Sequence, residues 1–192
     1  MFIVFVGPPG VGKGTQCRLL SSRLGLDHVS TGDLLRKAIS DGTELGRQSK
    51  QYIERGRLVP DEVIIDMIDD YLRDHECAAG YLFDGFPRNI LQAEALDCLL
   101  AKRDEAIDLV IQLTAAPEEI LNRLAIRAQS ESRPDDKPET IRQRLEIYQQ
   151  QTHRIVEYYD KQEKLRPIDG LGTPEEVFQR ILTCVRTVAT KS

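Results

Sequence analysis

Nine residues, "GPPGVGKGT" over positions 7–15, hold four glycines around one lysine. Glycines at Gly7, Gly10, Gly12 and Gly14 let the backbone turn sharply and approach a ligand closely. Successive N–H groups then point inward as an anion nest, and a following helix N-terminus adds positive potential. Lys13 supplies a mobile point charge for β- and γ-phosphates. The phosphate-binding loop of this type ordinarily carries Ser or Thr directly after the lysine, where the hydroxyl grips Mg²⁺. Here Gly14 stands at that place and Thr15 follows one position later. The stretch therefore reads as a nucleoside triphosphate loop whose metal is not held by that hydroxyl. No Asn-Lys-x-Asp run selects guanine. The plain alternative, a tight turn with a surface lysine, fits poorly between an apolar strand and a helical pattern.

Further chemistry lies downstream. Asp84 ends the apolar run "YLFD", a placement suited to orienting Mg²⁺ or its waters. Gly85 and Pro87 turn the chain and present Arg88, whose fork matches a phosphate bidentately. Arg123 and Arg127, four apart, share one helix face, whereas Arg142 and Arg144, two apart, cannot. In phosphoryl transfer, charge spreads over three equatorial oxygens, and a set of arginines supplies the countercharge without a base or covalent intermediate. Singly, each helix arginine is an ordinary surface charge.

These residues need a frame that brings them together. "FIVFV" (Phe2–Val6) is a continuous apolar run, as expected of a strand covered on both faces. Tyr81–Asp84 and residues 109–113 repeat the pattern, with weaker strands at 28–30 and Leu165–Asp169. Helical patterns fall between them, through Leu19, Leu20 and Leu24 and over residues 62–73, 91–102, 117–127, 139–161 and 174–188. Strand–helix alternation predicts an α/β three-layer fold with a five-stranded parallel sheet and helices on both faces. Thr173-Pro174-Glu175-Glu176 marks a helix start, and Asp61 after Pro60 is placed to cap the helix at Glu62. Residues 30–59 and 129–138 break the rhythm. They read as excursions at the carboxyl ends of the strands, where such sheets bind ligands.

Composition narrows the function classes. The chain has 192 residues, 41% hydrophobic and 30% charged, with a net charge of -5. The acidic balance argues against nucleic acid as partner. No apolar run approaches the roughly 20 residues of a membrane span, and the apolar start lacks a basic leader region. Cys17, Cys77, Cys98 and Cys184 are scattered, which supports neither a zinc site nor a disulfide framework and fits a reducing cytoplasm.

Four segments join the glycine loop to complete a pattern: "STGDLLR" from Ser30, "RLVPDE" from Arg57, "DGFPRNILQ" from Asp84 and "RPDD" from Arg133. In order and spacing the set, spanning Phe2 to about Val177, resembles the adenylate kinases. The resemblance implies reversible in-line phosphoryl transfer, ATP plus AMP giving two ADP, with Mg²⁺. It implies a core over residues 1–29, 60–126 and 138–192, an AMP-binding insertion over 30–59, a short lid over 127–137, and a monomer.

Residue by residue, the resemblance assigns Gly10, Val11, Gly12, Lys13, Gly14, Thr15, Arg127 and Gly172 to ATP. It assigns Thr31, Arg36, Arg57, Leu58, Val59, Gly85, Phe86, Pro87, Arg88 and Gln92 to AMP, with Arg133 and Arg144 on its phosphate. Lys13, Arg88, Arg123, Arg133 and Arg144 become the catalytic set, and Asp84 reaches Mg²⁺ through water. Gln92 would offer an amide donor and acceptor to adenine. Asp135 and Asp136 would hold the closed lid. Ser30 with Asp33 also reads as a helix capping box. The short connection from Arg127 to Lys137 holds no Cys, so no lid zinc is expected. Asn89 resembles a UMP/CMP kinase feature, while Thr31 and Gln92 favour AMP. An inactive nucleotide sensor and a P-loop hydrolase are the other readings; the arginine set argues against both.

Overall fold

The computed structural model describes residues 1–130 and 137–189. Five parallel strands form one sheet in the order β2-β3-β1-β4-β5: β1 (Phe2–Val6), β2 (Asp27–Ser30), β3 (Tyr81–Asp84), β4 (Leu109–Thr114) and β5 (Leu165–Asp169). Every expected strand is present. β1 lies at the centre, so the loop that follows it opens at the middle of the sheet's carboxyl edge.

The apolar runs are continuous because both faces are buried. Phe2, Val4 and Val6 pack into one core, with Phe83, Val110 and residues of α4 (Asp61–Asp74), α5 (Ile90–Ala101) and α8 (Arg154–Asp160). Ile3 and Phe5 pack into the other, with Ile111, Leu113 and residues of α1 (Lys13–Leu24) and α9 (Pro174–Ala189). Leu20 is fully buried on α1, but Leu24 is exposed, so the apolar stripe stops a turn before the helix does.

The break in rhythm after β2 is a helical excursion, α2 (Thr31–Ser40) followed by α3 (Glu44–Glu54), packed on each other. Ser30 caps α2, its hydroxyl accepting from Asp33 N at 3.3 Å. At α9, Thr173 and Glu176 form a reciprocal capping box, with Thr173 N donating to Glu176 Oε2 at 2.7 Å and Glu176 N to Thr173 Oγ1 at 3.3 Å.

Two expectations need correction. The long helical pattern over 139–161 is not one α-helix. It divides into α7 (Pro138–Ile147), a π-helical turn (Tyr148–Thr152) and α8. His153 N donates to Tyr148 O at 2.9 Å, which spans one residue more than an α-helical bond and rotates the later face. Asp61 does not cap α4 from outside: the helix begins at Asp61, Pro60 precedes it, and no side chain bonds the helix N-terminus. Its carboxylate is turned toward α5 instead. Among the described residues, no helix is long and apolar enough to cross a membrane.

Candidate active site

The chain leaves β1 through the glycine loop and enters α1 at Lys13, so the helix N-terminus faces the cleft. Gly10 and Gly12 have φ of 84° and 103°, the left-handed region that side chains resist. The Lys13 ammonium donates to Gly7 O at 2.6 Å and Pro8 O at 3.0 Å, folded onto its own loop. Burial lowers its pKa to about 8; Asp84 opposes the shift, while Arg88 and Arg144 add to it.

Asp84 pairs in register with Ser30 of β2 and Phe5 of β1, which puts its side chain at the carboxyl edge beside the loop. Burial alone would raise its pKa, but His28, Lys13 and Arg88 together outweigh that and hold the carboxyl below its ordinary value. Asp84 Oδ2 lies 3.6 Å from His28 Nε2, within ion-pair reach but beyond a good hydrogen bond. Cys17 brings its thiol to the same spot, so that one donor atom each from Cys17, His28 and Asp84 lie within 4.8 Å of one another. The spacing of the cysteines gave no sign of this convergence. Burial pushes the Cys17 thiol well above its usual pKa, which makes it a poor nucleophile.

Beyond β3 the chain must turn under the excursion. Gly85 has φ of 79°, and a Cβ there would stand 2.8 Å from Thr31 Oγ1 and 3.1 Å from an Arg88 guanidinium nitrogen. Only glycine lets the two side chains close over this turn. Thr31 Oγ1 donates to Gly85 O at 3.0 Å, and Arg88 Nε donates to the same carbonyl at 2.7 Å. The Phe86–Pro87 peptide is cis, and the Phe86 side chain is fully buried beneath. Gln92, 2% exposed, accepts from Arg88 N at 2.8 Å through Oε1 and donates to Asp61 Oδ1 at 2.6 Å through Nε2. Asn89 caps α5, accepting from Gln92 N at 2.9 Å, and donates to the Asp61 oxygens at 2.9 and 3.0 Å.

Two adjoining cavities result, of about 430 and 70 Å³. The larger is lined by Gly10, Gly12, Lys13, Gly14, Thr15, Asp84, Pro87, Arg123 and Arg127. The smaller is lined by Thr31, Arg57, Val59 and Gln92. Arg36, Leu58, Gly85, Arg88 and Arg144 border both. Arg123 and Arg127 do face one way, Arg123 donating to Val11 O at 3.2 Å and Glu119 Oε1 at 2.6 Å. Arg36 is ion-paired with Asp33. Arg144 turns inward while Arg142 is exposed, as expected. Val11 and Phe86 are buried and line neither cavity. Gly172 also lines neither cavity. Arg133, Asp135 and Asp136 lie outside the described residues.

Lining residues that sequence reasoning missed include Arg18, Ile126, Tyr148 and Thr152. Arg18, four after Gly14, shares its face of α1, a spacing that was available. Tyr148 and Thr152 are set by the π turn, which no local residue announces.

The chain matches the adenylate kinase family model over residues 5–164. It is similar to the adenylate kinase of Thermobifida fusca, 48% identical over 98% of this chain and 100% of that one. It is 44% identical to that of Stenotrophomonas maltophilia over 97% of this chain and all of the relative. With that of Xanthomonas campestris it shares 43% over 94% and 97%. A phosphate loop facing a second, arginine-bordered cavity accords with these likenesses, and the chain belongs to the adenylate kinase family.

Proposed function

We propose that the protein transfers a phosphoryl group directly between MgATP and AMP, giving two ADP, with ATP in the larger cavity and AMP in the smaller. The observation that carries this reading is the shared border: Arg36, Arg88 and Arg144 line both cavities. A group passing between two nucleotides would cross there.

The glycine loop and Lys13 would hold the donor's β- and γ-phosphates, Lys13 exchanging its loop carbonyls for phosphate oxygens. Arg88, Arg123, Arg127 and Arg144 would surround the group in flight with fixed positive charge, positioned before reaction and so needing little rearrangement. Arg36 would hold the acceptor phosphate, and Arg133 would join on closure. Thr31, Arg57, Leu58 and Val59 would wall the acceptor base, and Gln92 would bond it. Gly172 and the loop backbone would meet the donor nucleotide.

The residues present fit Mg²⁺. A Cβ on Gly14 would stand 3.5 Å from Asp84 Oδ2, so the missing side chain leaves room between loop and carboxylate for water. Asp84, ionised and at the strand end, would orient those waters. Mg²⁺ bound with the nucleotides would neutralise charge on the phosphate oxygens.

The division into core, insertion (30–59) and short lid (127–137) belongs to this proposal. The insertion packs on the core at α7: Thr140 Oγ1 donates to Glu54 O at the end of α3 at 3.4 Å. Gly56, with φ of 66°, lies so close to α7 that a Cβ would stand 2.8 Å from Thr140 O. A closed cover would keep water from the phosphoryl group. We take the protein as a monomeric cytoplasmic enzyme without lid zinc.

The pyrimidine alternative loses its main support. Both ends of the Asn89 amide are taken, one capping α5 and one on Asp61, and Asn89 lines neither cavity. A panel of AMP, UMP, CMP and GMP against MgATP tests the assignment; faster turnover of a pyrimidine monophosphate overturns it.

A further inference from the structure

Gln92 forms part of the wall of the smaller cavity, and its amide is spoken for on both sides. Asp61 is a carboxylate and can only accept, and the Arg88 backbone N–H can only donate. Their distances of 2.6 and 2.8 Å therefore settle which end of the Gln92 amide is nitrogen. After these bonds the amide keeps one N–H and one oxygen lone pair.

We propose that Asp61 sets the purine preference of the acceptor site by locking the orientation of the Gln92 amide. The inference rests on the smaller cavity taking the acceptor nucleotide. A 6-aminopurine presents an exocyclic N–H donor beside the N1 acceptor, which matches the free Oε1 lone pair and the free Nε2–H. A 6-oxopurine presents the reverse, a carbonyl beside an N1–H donor. In the same pose it sets oxygen against oxygen and N–H against N–H.

The amide could match the oxopurine only by turning over. That would aim Oε1 at the Asp61 carboxylate and Nε2 at the Arg88 N–H, replacing two good contacts with two repulsive ones. Buried polar groups left unmatched are where discrimination is largest. Asn89 also donates to both Asp61 oxygens, but the barrier to inversion is the acceptor-only chemistry of the carboxylate itself and does not depend on that contact. Asp61 touches no substrate in this account and acts through Gln92, so it is a positioning residue.

Asp61→Asn tests the lock. An asparagine can turn its own amide and donate to Gln92, which removes one of the two barriers to inversion; the Arg88 N–H keeps the other. The readout is kcat/KM for AMP and for IMP, a 6-oxopurine monophosphate, with MgATP. The AMP:IMP ratio is expected to fall about tenfold, chiefly through a lower KM for IMP. Both acceptors are assayed on one preparation, so loss of folded protein cancels from the ratio. Asn89→Ser is the second variant. Serine still caps α5 but no longer donates to both Asp61 oxygens, and the ratio is expected to stay within about twofold of wild type. A ratio unchanged in Asp61→Asn, or shifted equally in Asn89→Ser, overturns the inference. Failure of the acceptor assignment is distinguishable, since wild-type protein would then prefer a pyrimidine monophosphate before any variant is made.

Discussion

Gly14 faces Asp84: a Cβ on the residue after Lys13 would stand 3.5 Å from Asp84 Oδ2. A serine or threonine there would set its Cβ in van der Waals contact with that carboxylate. The departure from the usual loop pattern thus has a spatial counterpart, an opening beside a carboxylate that holds its charge. If that carboxylate orients metal-bound water, Asp84→Asn should lower kcat by about 10²-fold or more and raise the Mg²⁺ concentration needed for half-maximal rate. Initial rates across a Mg²⁺ titration check this. Unchanged Mg²⁺ dependence would remove Asp84 from that role.

Lys13 gives the site a pH signature. Its pKa of about 8, lowered by burial against 10.5 in a free lysine, means the empty protein has lost about half of this charge by pH 8. The donor's β- and γ-phosphates need it, so kcat/KM for ATP should fall about tenfold per pH unit above roughly 8. Bound phosphates favour the charged form, so the limb in kcat should lie higher. The stability effect runs the other way. Below pH 8 the charged, buried lysine costs the folded state its full penalty. Between pH 8 and 10.5 the folded protein carries less proton than the unfolded chain, so this contribution improves as pH rises. Lys13→Met should therefore be inactive yet more stable at pH 7, by about 1–3 kcal/mol, as measured by urea unfolding.

The two arginines near the middle of α7 should separate cleanly. Arg144 borders both cavities and Arg142 is exposed. Arg144→Ala should cost about 10²–10³-fold in kcat, while Arg142→Ala should stay within about twofold. Steady-state rates on the pair decide it.

Gly85→Ala should damage acceptor binding selectively. The φ of 79° opposes alanine, and its methyl would meet Thr31 Oγ1 at 2.8 Å. Expected are a loss of about 1–3 kcal/mol in stability and a KM for AMP raised more than that for ATP. Thermal unfolding and two-substrate kinetics measure both.

What the sequence shows of this fold follows from where the strands lie. β1, β3 and β4 are buried on both faces and stand out as unbroken apolar runs. β5, "LRPID", is an edge strand with alternating exposure, so its signal is weaker. The helical run after residue 138 hides the π turn because neither proline nor glycine interrupts it. At the site, the loop and the arginines are legible because each carries its own chemistry. Asp61 is not: beside Pro60 its type fits a cap equally well, and its actual bonds to Asn89 and Gln92 cross 28 and 31 positions. Pairings that distant come from α4 and α5 packing against each other on one face of the sheet, which no local spacing records.

The central claim is direct transfer between two nucleotides across the arginine border. Its most direct measurement is ADP formation by the purified protein from MgATP with and without AMP. The account predicts that two ADP appear for each AMP consumed, with negligible inorganic phosphate, and that AMP outperforms UMP and CMP. Steady phosphate release without any acceptor, or nucleotide binding with no ADP formed, would contradict it.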